Sequence, residues 1–280
     1  MTRLCYGADL PLSDIDILAQ TIEKTSGLML AVTGAGVSQA SGIPTFRGPE
    51  PDAIWARDAM ELATLRYFMR DPAGSWKWYL ERFDRVLESQ PNPAHHALAA
   101  LEQWRHARNH PFILVTQNVD PLHERAGSRA LIKVHGSADR VRCTSYGCEY
   151  GAPEGSIPRD TVDLEKFRRD PVAENVPRCP SCGSLVRQHV LWFDEYYHGH
   201  RDYRWERVQE AASQAQLVLF VGTSFSVGVT ELLLDAALRR GAPVFSVDPN
   251  PTGAPDEVHA LSAHAEDLLP LLVQMLTARS

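Results

Sequence analysis

Four of the five cysteines stand in two close pairs, Cys143 with Cys148 and Cys179 with Cys182, separated by a long gap. Four thiolates at these spacings can close a tetrahedral zinc site with no position left for water, so the metal would be structural. Spacing alone leaves an iron–sulfur centre open as well. Cys5 carries no motif. A second group of residues suits a nucleotide. In TGAGVSQASGIPTFRG, residues 33–48, Gly34 and Gly36 let backbone approach a pyrophosphate, and the small Ala35 and Ser38 keep the entrance open. Gln39 stands where the dinucleotide fingerprint has its third glycine, and the break at residues 42–44 stops a long helix from starting cleanly. On this stretch alone an ordinary strand-to-helix turn stays open. Three further blocks carry chemistry: TQNVDPLHERAG at 116–127, VHG at 134–136 and GTS at 222–224. His135 is a candidate base, because imidazole titrates near ~6.5 and can take a proton at neutral pH.

These residues need elements to hold them. Six short apolar runs recur, at 28–32, 112–115, 131–134, 190–193, 217–221 and 244–247. Each is strand-length and nearly continuous in hydrophobicity, which implies burial on both faces, as in a parallel sheet between helix layers. Ser13 with Asp16 signals a first helix, with apolar positions to Ile22 and Gly27 past its end. A second helix is expected over 229–240, with two arginines in its last turn and Gly241 beyond. Alternation of this kind predicts an α/β fold, a Rossmann-like doubly wound parallel sheet of about six strands. Gln117, Asn118, Asp120 and His135 all follow apolar runs, which places them at the crevice outside the strand ends. Two segments break the rhythm. Residues 49–94 hold Trp55, Tyr67, Trp76, Trp78, Tyr79 and Phe83 at helical spacings and read as a helical insertion. Residues 137–188 hold the cysteine pairs and little apolar periodicity, as expected of a zinc-binding module whose core is a metal rather than side chains. The Rossmann-like domain is then expected from 1–48, 95–136 and 189–280.

Composition removes several function classes. The 280 residues are 44% hydrophobic and 22% charged, which is globular, and the length suits about two domains. Net charge is −7 from 28 basic and 35 acidic residues with no basic run, so nucleic acid is not an expected partner. No window reaches the ~18 apolar residues of a membrane helix, and the first residues lack the apolar core of a signal peptide. A cytoplasmic protein with no membrane partner is expected. Oligomeric state is not legible.

Taken together, the glycine loop and the three blocks resemble the signature of the sirtuin family, the NAD-dependent protein deacylases, over roughly residues 25–275. The resemblance implies a large nucleotide-binding domain with a small domain made of a helical and a zinc-binding insertion. It implies NAD and Zn2+ as cofactors and acyl-lysine proteins or peptides as substrates. Such an enzyme detaches nicotinamide from NAD, traps the ribosyl cation with the acyl oxygen, and yields free lysine and an O-acyl-ADP-ribose. By resemblance His135 is the base that deprotonates a ribose hydroxyl, and Asn118 orients ribose hydroxyls or a water. Asp120 holds the nicotinamide carboxamide, caps a helix before Pro121, or both. Gln117 and Thr45 line the cofactor site, Phe46 and Arg47 cover it, Gly222, Thr223 and Ser224 suit phosphate, and Asp248 suits the adenosine ribose hydroxyls.

Substrate expectations come from the same source. Thr45 stands where many sirtuins have aspartate, as in the class III branch that removes acidic acyl groups. Tyr79 and Arg82, one helical turn apart in WKWYLER, match that branch's clamp for a succinyl, malonyl or glutaryl carboxylate. Pro49 weighs against class III, and Arg66, Arg70 and Arg85 compete for the carboxylate. The bland alternative is an exposed Arg82 with Tyr79 in the core. In RQHVLWFDEYY, residues 187–197, Gln188 and Asp194 depart from the family's wording. Val190, Trp192 and Phe193, facing Val227 and Gly228, would sandwich the peptide backbone, and Asp194 would add a charge beside it. Two rivals keep the fold: an ADP-ribosyltransferase or NAD hydrolase, and a non-catalytic NAD-binding interaction module.

Overall fold

The computed structural model describes residues 12–45, 60–225, 228–251 and 253–279. Cys5, Phe46, Arg47, Pro49 and Val227 lie outside them, so the expected cover over the cofactor and one edge of the peptide site fall outside as well. In chain order the strands are β1 Met29–Thr33, β2 Phe112–Thr116, β3 Leu131–Lys133, β4 Gly136–Cys143, β5 Ile157–Pro158, β6 Val186–Val190, β7 Leu217–Val221, β8 Val244–Asp248 and β9 His259–Ser262. The helices are α1 Leu12–Lys24, α2 Leu65–Arg70, α3 Pro72–Glu88, α4 Pro93–His106, α5 Leu122–Ala126, α6 Glu165–Arg169, α7 Trp205–Gln214, α8 Gly228–Arg240 and α9 Ala265–Ala278.

Six strands form one parallel sheet in the order β3-β2-β1-β7-β8-β9. Its chemistry is the reason the strands read as continuous apolar runs. Along β7, Leu217, Leu219 and Val221 join the core on one face, and Val218 and Phe220 join the core on the other. β1 and β2 divide in the same way, with Met29 and Phe112 on the first face and Leu30 and Ile113 on the second. One face is covered by α1, α4 and α9, the other by α7 and α8. α1 buries Ile15, Leu18, Ala19 and Ile22, the single stripe a surface helix needs.

The count of six holds with one exchange of strands. The run at 190–193 does not enter the parallel sheet. Val190 ends β6, which pairs antiparallel with β4 in a separate three-stranded sheet of order β5-β4-β6. β6 is buried along its whole length under the helices of residues 65–88, but the apolar run continues beyond it, where Leu191 is half-buried and Phe193 is 50% exposed, so its hydrophobicity does not mark a strand buried on both faces. The sixth parallel strand is β9, whose exposed Ala260 and Ser262 alternate with less exposed His259 and Leu261. As an edge strand it has one paired side only, and it never develops a continuous apolar run.

The cysteine-bearing segment is also better packed than its sequence suggests. Val141, Val162, Phe167, Val176 and Val186 form one side-chain core with Phe68, Trp76, Tyr79 and Phe83 of α2 and α3. A metal is therefore not the whole of its core. Trp76 donates from Nε1 to the carbonyl of Val186 at 2.8 Å, which ties the helical insertion to β6. Beneath it Glu195 receives Arg187 at 2.6 and 3.0 Å, Arg142 at 2.8 Å and the Trp192 N–H at 3.0 Å. Burial alone would raise this carboxyl; the two guanidiniums override that and hold it below the ordinary glutamate range.

Candidate active site

The carboxyl ends of the parallel strands carry the expected residues. Gly34, Ala35, Gly36 and Ser38 follow β1, Gln117, Asn118 and Asp120 follow β2, and His135 follows β3. Gly222, Thr223 and Ser224 follow β7, and Asp248 ends β8. This rim is where an open α/β sheet binds its ligand, because backbone N–H groups and helix starts face outward there.

The glycines act on protein before they act on any ligand. A Cβ on Gly34 would stand 2.7 Å from Thr223, and one on Gly36 would stand 2.8 Å from the Gly222 backbone. Gly222 has a φ of +55, and a Cβ there would meet the Val37 N at 2.4 Å. Gly36 N–H donates to the Gly222 carbonyl at 2.9 Å, which locks the two loops together. The loop at residues 35–41 winds as a short 3-10 turn rather than opening into a long helix. Gln117 bridges the same loops by donating from Nε2 to Thr223 Oγ1 at 2.7 Å.

Behind this cradle lies a buried polar chain. Asn118 donates from Nδ2 to the Gly34 carbonyl and to Ser38 Oγ, both at 3.0 Å. Ser38 donates to Asp120 Oδ2 at 3.0 Å, and Asp120 Oδ1 accepts the Leu122 N–H two residues on at 3.0 Å. Thr33 donates to Thr116 Oγ1 at 2.8 Å and lies 3.0 Å from His123 Nε2. His95 Nε2 reaches Ser38 Oγ at 3.4 Å, and the rings of His95 and His123 are 4.8 Å apart. Burial pushes His95 down to about 4 and His123 well below its usual value, so both are neutral here. Lys133 donates to the Asp120 carbonyl and to Ser137 Oγ, each at 2.7 Å, and pairs with Glu124 at 2.9 Å.

His135 is held from both ring nitrogens. Its Nδ1 lies 2.9 Å from the carbonyl of Gln117. A carbonyl can only accept, so Nδ1 carries the proton and Nε2 keeps a lone pair. Burial pushes the imidazole down to about 4, with the Gln117 carbonyl opposing. Its anchor is the residue before Asn118, so the base and the amide hang from consecutive positions. Nε2 lies 3.3 Å from the Tyr197 hydroxyl.

The other expected residues are placed less uniformly. Thr45 is half-buried at the end of the described segment, and Asp248 accepts the Asn250 N–H through Oδ1 at 2.8 Å. Val190 and Trp192 are buried, and Phe193 is 50% exposed. Trp192 packs against Phe68 and Tyr79, and Arg187 stacks on its ring at 3.2 Å. The N–H groups of Leu191, Trp192 and Phe193 all bond within the chain, to His135, Glu195 and Ala63. Gly228 opens α8 with free space where a side chain would stand. Tyr79 sits in the aromatic core, 4.9 Å from Phe83. Arg82 donates to the Trp78 carbonyl at 2.9 Å and lies 4.1 Å over the Trp78 ring. Asp194 has a role the sequence did not suggest: its carboxylate accepts the N–H groups of Leu65 and Arg66 at 2.7 and 3.0 Å and so caps α2.

The four cysteine sulfurs lie within 4.8 Å of one another, with Cys143 to Cys182 at 3.4 Å and Cys148 to Cys179 at 3.8 Å. A tetrahedron built on ~2.3 Å zinc–sulfur bonds has edges of about 3.8 Å, so the donor set fits zinc. Hydrogen bonds from Ser184, with help from Cys143, bring the Cys182 thiol down to about 6. His189, His200 and Asp202 also converge, but protein groups close that cluster. Asp202 accepts His189 Nε2 at 3.2 Å and Ser156 at 2.8 Å, while His200 is held by the Gly155 carbonyl and the Asp202 N–H.

Sequence reading missed Thr33, Thr116, His95, His123, Lys133 and Tyr197. His123 lies inside the block TQNVDPLHERAG, but no spacing rule links it to Thr33, a partner 90 positions away.

A parallel sheet in this strand order, with glycine loops and a neutral histidine on its carboxyl rim, defines a dinucleotide-binding α/β protein with an inserted metal module. The model of the Sir2 family matches residues 34–229. An NAD-dependent protein deacylase of Thermus thermophilus is 40% identical over 79% of each chain. NAD-dependent protein deacylase 1 of Pseudomonas aeruginosa is 43% identical over 88% of this chain and 93% of its own. A solved Sir2 homolog–NAD complex superposes with a TM-score of 0.77 at 35% identity, covering 94% of both chains. The chain belongs to the Sir2 family, the sirtuins.

Proposed function

We propose that this protein is an NAD-dependent protein lysine deacylase, releasing nicotinamide, free lysine and an O-acyl-ADP-ribose. The observation that carries the reading is the state of His135: neutral, with Nδ1 tied to the carbonyl of Gln117, the residue before Asn118, and Nε2 left unprotonated as a base. NAD, when bound, supplies an activated ribose carbon whose nicotinamide can leave. Gly34, Gly36, Gly222, Thr223 and Ser224 would hold its phosphates, with Ala35, Ser38, Thr45, Phe46 and Arg47 around the riboside and Asp248 at the adenosine end. Asn118, fixed by Gly34 and Ser38, would orient ribose hydroxyls, and Asp120 would meet the carboxamide. His135 Nε2 would take the proton of a ribose hydroxyl. Cys143, Cys148, Cys179 and Cys182 would hold structural zinc, and thiols kept for metal rather than disulfides suit a cytoplasmic protein.

The test is nicotinamide release from NAD with and without an acyl-lysine peptide. Release that depends on the peptide, and falls at least ~100-fold in His135→Ala, is the expected result for loss of a general base. Release that ignores the peptide would favour an ADP-ribosyltransferase or NAD hydrolase, and none at all would favour a binding module.

Acidic acyl chains are the finer proposal. Arg66, Arg70 and Arg85 are exposed, whereas the Arg82 side chain is only 18% exposed and stands one turn from Tyr79, which stacks on Trp192. Of the four arginines only Arg82 is partly buried and one turn from the tyrosine that stacks on Trp192, the side of the site where Val190, Phe193 and Gly228 would meet substrate. Comparing kcat/KM for acetyl, succinyl and glutaryl forms of one peptide in the parent and in Arg82→Met decides it. Loss confined to the acidic acyl groups supports the clamp; equal loss everywhere points to packing.

A further inference from the structure

Tyr196 and Tyr197 are neighbours with opposite fates. Tyr196 is 80% exposed, while Tyr197 turns inward and lies flat on Trp205, ring centroids 4.0 Å apart and planes 9° from parallel. Trp205 is itself buried in the core beneath β7 and α8. This stack holds the phenol without help from solvent, and it aims the hydroxyl at His135 Nε2, 3.3 Å away. Since Nδ1–H is committed to the Gln117 carbonyl, Nε2 has only a lone pair, and the phenol must be the donor.

We propose that Tyr197 is a positioning residue that holds the ring of His135 and occupies its Nε2 lone pair in the resting site. The inference rests on His135 being the base. The lone pair that must accept a ribose hydroxyl proton is already bonded, so the substrate hydroxyl must displace the phenol. No bond to carbon forms or breaks in this step; one hydrogen-bond donor to Nε2 replaces another.

The test reads the lone pair directly and needs no turnover. Diethyl pyrocarbonate attacks a neutral imidazole nitrogen with a free lone pair, and mass spectrometry locates the label. In Tyr197→Phe the ring stack on Trp205 is kept and only the hydroxyl is lost. His135 of the unliganded variant should label about tenfold faster than the parent, the factor carried by one ordinary neutral hydrogen bond. Equal rates in a variant with the parent's melting temperature would overturn the proposal. Should the variant melt early, nitrogen NMR of the parent's imidazole decides: a proton on Nδ1 supports the proposal, and one on Nε2 overturns it. Failure of the deacylase reading would show separately, as nicotinamide release indifferent to His135→Ala.

Discussion

At the scale of single residues, the site is set by groups that touch each other before they touch a ligand. Gly36 is an example. Its hydrogen was expected to admit a pyrophosphate, and the structure adds a nearer reason, the Gly222 backbone 2.8 Å from where a Cβ would lie. Both partners are backbone on locked loops, so neither gives way cheaply. Gly36→Ala should cost about 1–3 kcal/mol, the range for overpacking, and weaken NAD binding at the same time. Thermal melting with and without NAD checks both; an unchanged melting temperature would mean the loops are not locked. The glycines, Gln117, Asn118 and His135 were legible because their types are rare together and follow strand ends. Their supports were not. His95, His123, Thr33 and Thr116 make a buried chain across 90 positions of sequence, and each alone reads as an ordinary core or cap residue.

At the scale of elements, apolar runs reported burial for five of the six strands expected and partnership poorly. β6 and β7 are both buried throughout, yet one pairs antiparallel in the small sheet and the other lies at the centre of the large one. Burial is a local property of the string; the choice of neighbour is decided by where the chain returns. Asp194 shows the same limit. It departs from its family's wording, and its role is legible only once α2 is placed against it, 129 positions away. Asp194→Ala should destabilise by about 1 kcal/mol, as loss of a helix cap does, and leave the kinetic ranking of basic and acidic peptides unchanged. A changed ranking would support the peptide-charge role. Its neighbour Glu195 carries more. Removing that carboxylate leaves Arg142 and Arg187 buried and unpaired, so Glu195→Ala should cost about 3–5 kcal/mol by urea unfolding. A loss under 1 kcal/mol would mean water reaches the pair.

At the scale of the whole molecule, the fold class and the clustering of the four cysteines were readable because an apolar parallel sheet and two cysteine pairs are strong signals, while the electrostatic balance was not. Five of the eleven histidines are held below their ordinary value in the folded state. Burial is the leading cause in each, with His95, His135 and His189 brought to about 4. In the unfolded chain they titrate near ~6.5. Between these values the unfolded state binds more protons than the native one, so stability must rise with pH across that window and fall on acidification. Each histidine contributes a slope of up to ~1.4 kcal/mol per pH unit there, and for His95, His135 and His189 the loss levels off below about 4 as their native forms protonate too. His95 touches His123 and His189 touches His200, so the pairs titrate jointly and the slopes do not simply add. The expected outcome is a urea midpoint nearly flat from pH 8 to 7 that falls steeply from pH 6.5 to 5. Protonation of zinc thiolates would act in the same direction, and His95→Gln separates the two, since it removes one histidine and leaves every cysteine. A shallower acid slope in that variant assigns the loss to imidazole, and an identical slope assigns it to the metal centre.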